Sequence, residues 1–190
     1  DLGKLASVLE RQVRQMTRLI DDLVDASRVA TGKMHVKRVR IDLARIFDQV
    51  IDACLPSMNA RTQRFTADIP GGPLMVDADE VRLTQVFTNL LQNASKYTPK
   101  NGAVTLTCTV DSRSGAPPAV VVTVADNGIG IAAAALATIF EPFVQDAHAI
   151  GFAADGMGIG LTLVRELVQA HGGTVTAVSA GAGFGSHFIV

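Results

Sequence analysis

Asn89-Leu90-Leu91-Gln92-Asn93-Ala94-Ser95-Lys96-Tyr97-Thr98 reads as one amphipathic helix with two distinct faces. At about 100° per residue, Leu83, Val86, Phe87, Leu90, Leu91 and Ala94 share an apolar stripe. Gln85, Asn89, Asn93 and Lys96 share a second, polar one. A helix with amides and a cation along one line either meets solvent or lies against something polar. An amide oxygen is a hard, neutral ligand suited to Mg²⁺, which binds few protein groups and keeps substrate phosphates and water. Lys96 would bring positive charge to the same phosphates.

Working outward, the apolar fraction of 48% over 190 residues allows a sizeable core and one domain plus an appendage. The net charge of −1 argues against a broad electrostatic surface for nucleic acid. No apolar run approaches the ~20 residues that span a bilayer, and no signal-peptide pattern opens the chain. Neither membrane nor nucleic acid is therefore expected as a partner of this segment. Cys54 and Cys108 fall in a predicted helix and a predicted strand, without metal-type spacing. A reduced, cytoplasmic setting is expected. The chain opens inside helical sequence, as a piece of a longer protein would.

Residues 2–30 read as one long helix in which Leu2, Leu5, Leu9, Met16, Leu19, Leu23, Ala26 and Ala30 follow heptad a and d places. Gln12 interrupts the seam; Val13 and Ile20 widen it. Such a stripe needs a partner helix, either a second copy of the chain, a segment outside it, or its own domain. Thr31-Gly32-Lys33 ends it, with Gly32 placed to terminate the helix. Met34 to Ile41 alternates apolar and basic residues as a strand. Asp42 is placed to cap a helix over about 43–55, closed by Pro56. Gln63 to Ile69 reads as a strand, followed by the turn Pro70-Gly71-Gly72-Pro73. Asp77 or Asp79 caps the Asn-bearing helix, about 79–96. Gly102–Val110 and Ala119–Ala125 read as consecutive antiparallel strands joined by 111–118. A short helix covers about 132–138, a Gly- and Ala-containing loop 140–159, and a helix about 160–171, ending at Gly172-Gly173. Thr174–Ser179 and Phe184–Val190 form a closing hairpin around Gly181-Ala182-Gly183. The order implies an α+β fold: a two-layer α/β sandwich, helices on one face of a mixed, mostly antiparallel sheet, preceded by the long N-terminal helix.

Three further stretches bear on chemistry. Asp126-Asn127-Gly128-Ile129-Gly130 follows the apolar strand Val120–Val124. A carboxylate at the buried end of such a strand needs a donor, and the exocyclic amine of adenine is one; the glycines would let the backbone pass close to a flat base. Asp-Asn-Gly is equally ordinary turn chemistry. The run Gly128 to Ala133 also mimics a dinucleotide fingerprint, but the parallel second strand and acidic residue that fingerprint needs do not follow. Gly156-Met157-Gly158-Ile159-Gly160 opens a helix, where several N–H groups and the helix dipole favour an anion. The loop before it is long enough to act as a lid, with Gly151, Gly156 and Gly158 as hinges.

Four blocks thus occur in order: Asn89 to Thr98, Asp126 to Gly130, Phe140-Glu141-Pro142-Phe143, and Gly156 to Leu161. Together they resemble the N, G1, F and G2 boxes of the ATP-binding catalytic domain of sensor histidine kinases, the two-component signalling family. The Gly183-Phe184-Gly185-Ser186-His187-Phe188 hairpin is similar to that family's last two strands. The resemblance covers about residues 34–190, within a domain expected at 32–190; residues 1–31 resemble the second helix of the family's dimerisation and histidine-phosphotransfer hairpin. It implies Asn93 and Asn89 as Mg²⁺ ligands, Lys96 at phosphate, and Tyr97 bordering the nucleotide. Asp126 would hold the adenine amine, with Gly128 and Gly130 admitting the base. Phe140 and Phe143 would anchor the lid, Gly156, Gly158 and Gly160 would cradle phosphates, and Ser186 would assist near adenine.

The resemblance implies ATP and Mg²⁺ as ligands, a response-regulator receiver domain as partner, and a homodimer through residues 2–30. Related ATPases carry Glu where Asn89 stands; an amide is no base toward water, which favours a kinase over a hydrolase. The rival readings are a degenerate nucleotide-binding or dimerisation scaffold and a hydrolase or chaperone of the same fold. The family's phosphorylated histidine is followed by an acidic residue, whereas His35, His148, His171 and His187 precede Val36, Ala149, Gly172 and Phe188. The acceptor helix is therefore expected outside this chain, which alone would not autophosphorylate. No Arg or Lys lies between 144 and 159, so phosphate charge would fall to Lys96, Mg²⁺ and backbone amides.

Overall fold

The computed structural model describes Val13, Met16 and residues 35–112, 118–144 and 158–190. The rest of the heptad seam, the turn at Gly32, most of the 111–118 connection, His148, Gly151 and Gly156 lie outside the described residues. The chain divides into two compact units, Asp1–Met34 and His35–Val190. In the first, Val13 and Met16 are helical and exposed. The second carries the sheets and the helices packed on them.

Its elements in chain order are β1 (Val39–Asp42), α1 (Leu43–Ala60), β2 (Arg64–Asp68), β3 (Met75–Ala78), α2 (Glu80–Tyr97), β4 (Ala103–Asp111), β5 (Ala119–Asp126), α3 (Ala133–Leu136), α4 (Gly160–Ala170), β6 (Thr176–Val178) and β7 (Ser186–Ile189). The main sheet has the order β2-β4-β5-β7-β6. Only β2 and β4 pair in parallel; the remaining neighbours are antiparallel. β1 and β3 form a separate antiparallel pair. The α+β sandwich is borne out: α2 packs between α1 and α4 and lies on β4 and β5.

Alternation along the strands builds the core. Val104, Leu106 and Cys108 of β4, Val122 and Val124 of β5 and Phe188 of β7 are buried on the helix side. The intervening Thr105, Thr107 and Thr123 face the other, half-exposed side. The apolar stripe of α2 is buried as its spacing predicts, from Leu83 to Ala94. Phe87 meets Phe47 of α1 edge-on, ring centroids 5.1 Å apart. Burial pushes both cysteine thiols, Cys54 and Cys108, upward in pKa, as expected of inert core residues.

Several expectations need correction. Pro56 does not close α1, which runs on to Ala60. A proline leaves the carbonyl four residues back without a helix partner, but here both Asp52 and Pro56 are exposed, on the side of the helix open to solvent. Met58 beyond the proline is buried and holds the last turn down. The first strand begins at Val39 rather than Met34. Its expected first half is held otherwise: the Lys37 N–H donates to Asp79 Oδ2 at 2.9 Å and Arg38 Nη2 to the Ala170 carbonyl at 2.7 Å. β3 was not foreseen; it begins at Met75, one residue beyond the Pro70–Pro73 turn. Of the two candidate caps for α2, Asp79 serves, accepting from the Arg82 N–H at 3.2 Å. Asp42 caps α1 as predicted, accepting from Ala44 N and also from Leu74 N.

Candidate functional site

Asp126 ends β5 and is buried. Its Oδ2 accepts the Ser186 hydroxyl at 2.6 Å and its Oδ1 the Gly128 N–H at 2.8 Å. Antiparallel pairing sets Asp126 directly opposite Ser186, so the contact follows from strand register. Burial pushes the carboxyl above its ordinary range, and the hydrogen bonds from Ser186 and Gly128 only partly offset it. The Ser186 N–H also bonds the carboxylate, which leaves one of its roughly four lone-pair sites to accept from a ligand donor.

The loop after Asp126 is pressed between two neighbours. A Cβ on Gly128 would overlap the Tyr97 carbonyl at the end of α2, and the Ile129 N–H donates to that carbonyl at 3.1 Å. On its other side the Gly183 N–H reaches Ile129 O at 2.7 Å and the Gly185 N–H reaches Gly128 O at 3.1 Å. Gly130 sits at φ +70°, and a Cβ there would overlap the Gly181 carbonyl. Within the protein, the two glycines admit other backbone, which fixes where the loop lies.

The polar stripe of α2 splits on inspection. Gln85 accepts from Arg82 Nη1 at 2.9 Å, within the helix itself. Lys96 lies with its ammonium 5.1 Å from the Tyr97 ring centroid. Asn89 and Asn93 are half-buried. Asn89 Nδ2 is fully buried and, among the described residues, has no hydrogen-bond partner. An orphan donor of this kind is costly and calls for an acceptor.

Across from it begins α4. A Cβ on Gly160 would stand 3.9 Å from the Asn89 amide. Ile159 precedes Gly160 as N-cap and makes no side-chain cap hydrogen bond to the first turn. Thr162 Oγ1 on the same turn is also buried without a partner among the described residues. The Asn89 amide, through its oxygen, thus lies beside the first residue of α4, whose N-terminal N–H groups favour an anion, an arrangement that fits polyphosphate. Among the described residues no three His, Cys, Asp or Glu side chains converge to hold a metal. A divalent ion would have to use amide oxygens and the phosphates themselves, which suits Mg²⁺.

The two phenylalanines of the Phe140–Phe143 block differ. Phe140 packs edge-on against Phe188 of β7, centroids 6.4 Å apart. Phe143 is 66% exposed and sits at φ +64°. Its N–H donates to the Gly158 carbonyl at 3.1 Å, and a Cβ on Gly158, itself at φ +70°, would crowd Val144 O at 2.8 Å. Phe143 and Gly158 are thereby brought together; Gly156 lies outside the described residues.

Sequence reasoning overlooked three contributors. Gly185, at φ +69°, has no room for a Cβ beside the Asp126 carbonyl; its place one residue before Ser186 was the available signal. The Ser179 hydroxyl accepts from the Ile131 N–H at 3.0 Å. Gln63 binds the end of α2, donating from Nε2 to the Ser95 and Thr98 carbonyls at 2.9 and 2.7 Å. For the last two no local pattern exists.

Residues 78–190 match the family model described as histidine kinase-, DNA gyrase B-, and HSP90-like ATPase. The adaptive-response sensory kinase SasA of Synechococcus sp. (strain JA-3-3Ab) is 35% identical over 195 residues, covering 98% of this chain and 50% of that protein. The sensor histidine kinase WalK of Bacillus subtilis (strain 168) is 30% identical over 172 residues, 90% of this chain and 28% of that one. The chain thus spans half or less of the length of these relatives. Among solved structures, full-length ShkA in complex with AMPPNP superposes with a TM-score of 0.75 at 31% identity, over 92% of this chain and 35% of that one. The nucleotide-free catalytic domain of histidine kinase ThkA gives 0.65 at 25% identity, over 80% of this chain and 95% of its own. With more than half its length inside the family model, the chain belongs to the histidine kinase-, DNA gyrase B- and HSP90-like ATPase family, and within it is an ATP-binding catalytic domain of the sensor histidine kinase type.

Proposed function

We propose that this chain binds ATP with Mg²⁺ between α2, the Asp126 loop and the start of α4, and donates the γ-phosphoryl to a histidine outside the chain. The observation that carries this reading is the Asn89 amide itself: its oxygen lies beside Gly160 at the start of α4, and its Nδ2 is buried without a partner among the described residues. The first-turn N–H groups of α4 and the helix dipole favour a polyanion beside that amide.

In this reading Asp126 accepts the adenine amine, with Ser186 holding the carboxylate in place. Gly128 and Gly130 keep the loop low enough for a base to approach, and Tyr97 borders it. Asn93 and Asn89 are the residues that would hold Mg²⁺, which on binding neutralises phosphate charge; Lys96 adds a cation. Gly156, Gly158 and Gly160 present backbone to the phosphates, and Phe143 ties its segment to Gly158. Phosphoryl transfer demands positioning and charge neutralisation more than covalent chemistry from the protein. An amide at position 89 leaves water unactivated, which preserves the phosphoryl group for a protein acceptor.

The domain reading places residues 1–31 as the second helix of a dimerisation hairpin and 32–190 as the catalytic domain. It supplies the remaining partners: a second copy through residues 2–30, an acceptor-histidine helix, and a response-regulator receiver domain that takes the phosphoryl onto aspartate. The setting is cytoplasmic. No helix among the described residues is long and apolar enough to cross a membrane.

Calorimetry with AMPPNP and Mg²⁺ tests the binding step. Heat is expected from the wild type and its loss from Asp126→Ala and Asn93→Ala; no heat from the wild type would refute the reading. Incubation with labelled ATP and a separately supplied hairpin containing an acceptor histidine tests the transfer. Labelled hairpin is expected, and release of free phosphate without labelling would point instead to a hydrolase.

A further inference from the structure

We infer that Ser179, at the end of β6, is a positioning residue for the nucleotide-base loop. Its hydroxyl has one proton to donate and two lone pairs, and all three are engaged. The proton goes to the Gly185 carbonyl at 2.6 Å; the Gly181 carbonyl lies farther, at 3.4 Å. The lone pairs receive the Ile131 N–H at 3.0 Å and the Gly181 N–H at 3.2 Å. One oxygen therefore joins three backbone segments: the first half of the β6–β7 turn, its return limb, and the loop that follows Asp126.

The placement matters because both sides of that junction are glycine-packed. A Cβ on Gly130 would overlap the Gly181 carbonyl and stand 3.2 Å from Ser179 Oγ; one on Gly185 would overlap the Asp126 carbonyl. Backbone lies on backbone, with little side chain between to set the spacing, and Ser179 is the side chain whose bonds span the gap. Its Gly185 bond positions the residue before Ser186, which in turn holds Asp126. Its Ile131 bond fixes the far end of the loop beyond Gly130. Ser179 thus defines the base end of the site from both sides without touching a ligand.

This rests on the ATP reading above, and the experiment separates the two. AMPPNP and its guanine counterpart are titrated with Mg²⁺ into the full chain by calorimetry, well below the melting temperature. Ser179→Ala is expected to weaken AMPPNP about tenfold and to narrow the preference for adenine over guanine. Ser179→Thr, which keeps the hydroxyl, is expected to restore both to within about twofold. A purely structural role would lower the melting temperature without changing base preference. Ser179→Ala binding AMPPNP like the wild type, with unchanged base preference, would overturn the inference. Should Ser179→Ala not fold, amide exchange on the wild type decides: Ile131 N–H is expected to be protected, and exchange at the unprotected rate would overturn it. A wild type that binds no nucleotide would refute the ATP reading, leaving the exchange measurement to judge the Ser179 junction by itself.

Discussion

The Ser186 hydroxyl donates to Asp126 Oδ2 at 2.6 Å across the β5–β7 pair, so a buried carboxylate is held in place by its strand partner. Burial still raises the carboxyl above its ordinary range. A raised folded value means that the folded state holds the proton more tightly than the unfolded chain. Stability therefore falls as pH rises from below the unfolded value through the folded one. Where it is ionised, Asp126 works against folding. Asp126→Asn is expected to melt at or above the wild-type temperature at neutral pH, with the difference shrinking on acidification. The same variant is expected to lose about 10- to 100-fold in adenine-nucleotide affinity, the worth of a hydrogen bond to a charged group. Thermal melts across pH together with calorimetry check both; a strongly destabilised variant at neutral pH would contradict the account.

Gly183 and Gly185 share left-handed backbone, at φ +83° and +69°, but not surroundings. A Cβ on Gly183 meets nothing within 4 Å, whereas one on Gly185 overlaps the Asp126 carbonyl and stands 2.8 Å from Asn127 Cα. Gly183→Ala is expected to cost only the conformational strain, about 1–2 kcal/mol. Gly185→Ala adds overlap to the same strain, about 3 kcal/mol or more in total, and displaces Asp126. Denaturant unfolding ranks the two, and nucleotide affinity is expected to fall steeply only for Gly185→Ala. Equal effects would mean that the hairpin does not press on the loop.

The contrast between those glycines also shows how far the sequence could be read. Period and spacing disclosed what depends on neighbours along the chain: the buried stripe of α2, its Asn-bearing face, the β4–β5 pair and the closing hairpin. What depends on distant partners stayed hidden. The parallel pairing of β2 with β4 joins residues 39 positions apart in register, and no local pattern encodes it. β3 is four residues long and follows a Pro-Gly-Gly-Pro turn, too short for alternation to register. Pro56 misleads because its cost depends on exposure of Asp52, a tertiary property. In the site, Asp126 and Ser186 were both identified, but their contact depends on the β5–β7 register. Ser179 and Gln63 act on partners 48 and 32 residues away.

Gln63 and Ser95 form a reciprocal pair that anchors the C-terminal end of α2. The Ser95 hydroxyl donates to Gln63 Oε1 at 2.7 Å, while Gln63 Nε2 donates to the Ser95 carbonyl at 2.9 Å. The same Nε2 reaches the Thr98 carbonyl, which also accepts from Arg61 Nη2 at 2.9 Å. The last carbonyls of the helix are thereby satisfied within the protein. Gln63→Ala leaves several buried polar atoms unpaired and is expected to cost about 1–3 kcal/mol, a fall of about 2–4 °C in melting temperature per kcal/mol. Gln63→Glu keeps one acceptor for Ser95 but loses the donor and buries a charge, so it is expected to be at least as harmful. Equilibrium unfolding of both variants is the check, and a loss below about 0.5 kcal/mol for Gln63→Ala would show that water replaces the amide.

Asp79 serves both the start of α2 and the segment entering the domain. One carboxylate oxygen caps the Arg82 N–H and the other takes the Lys37 N–H. Its own N–H donates to His171 Nε2 at 3.0 Å, while His171 Nδ1 lies 2.7 Å from the Leu167 carbonyl. An Nε2 that accepts leaves Nδ1 as the donor, so the geometry selects the neutral Nδ1–H tautomer. Partial burial pushes the Asp79 carboxyl up, but the Lys37 and Arg82 N–H groups, with the charge of Arg82, outweigh it and hold the carboxyl below its usual range. A depressed folded value contributes stability above the unfolded pKa that is lost as pH falls through the folded one, opposite in sign to Asp126. Asp79→Ala is expected to cost about 1 kcal/mol at neutral pH, as for a lost helix cap, with its gap from wild type closing in acid. Asp79→Ser keeps a capping oxygen but has no second acceptor for Lys37. It is expected to recover most of that stability while leaving the Lys37 amide exposed to exchange. Urea unfolding at several pH values and amide exchange at Lys37 test the division of labour. A serine variant in which Lys37 remains protected would show that the second oxygen does not hold the entering segment.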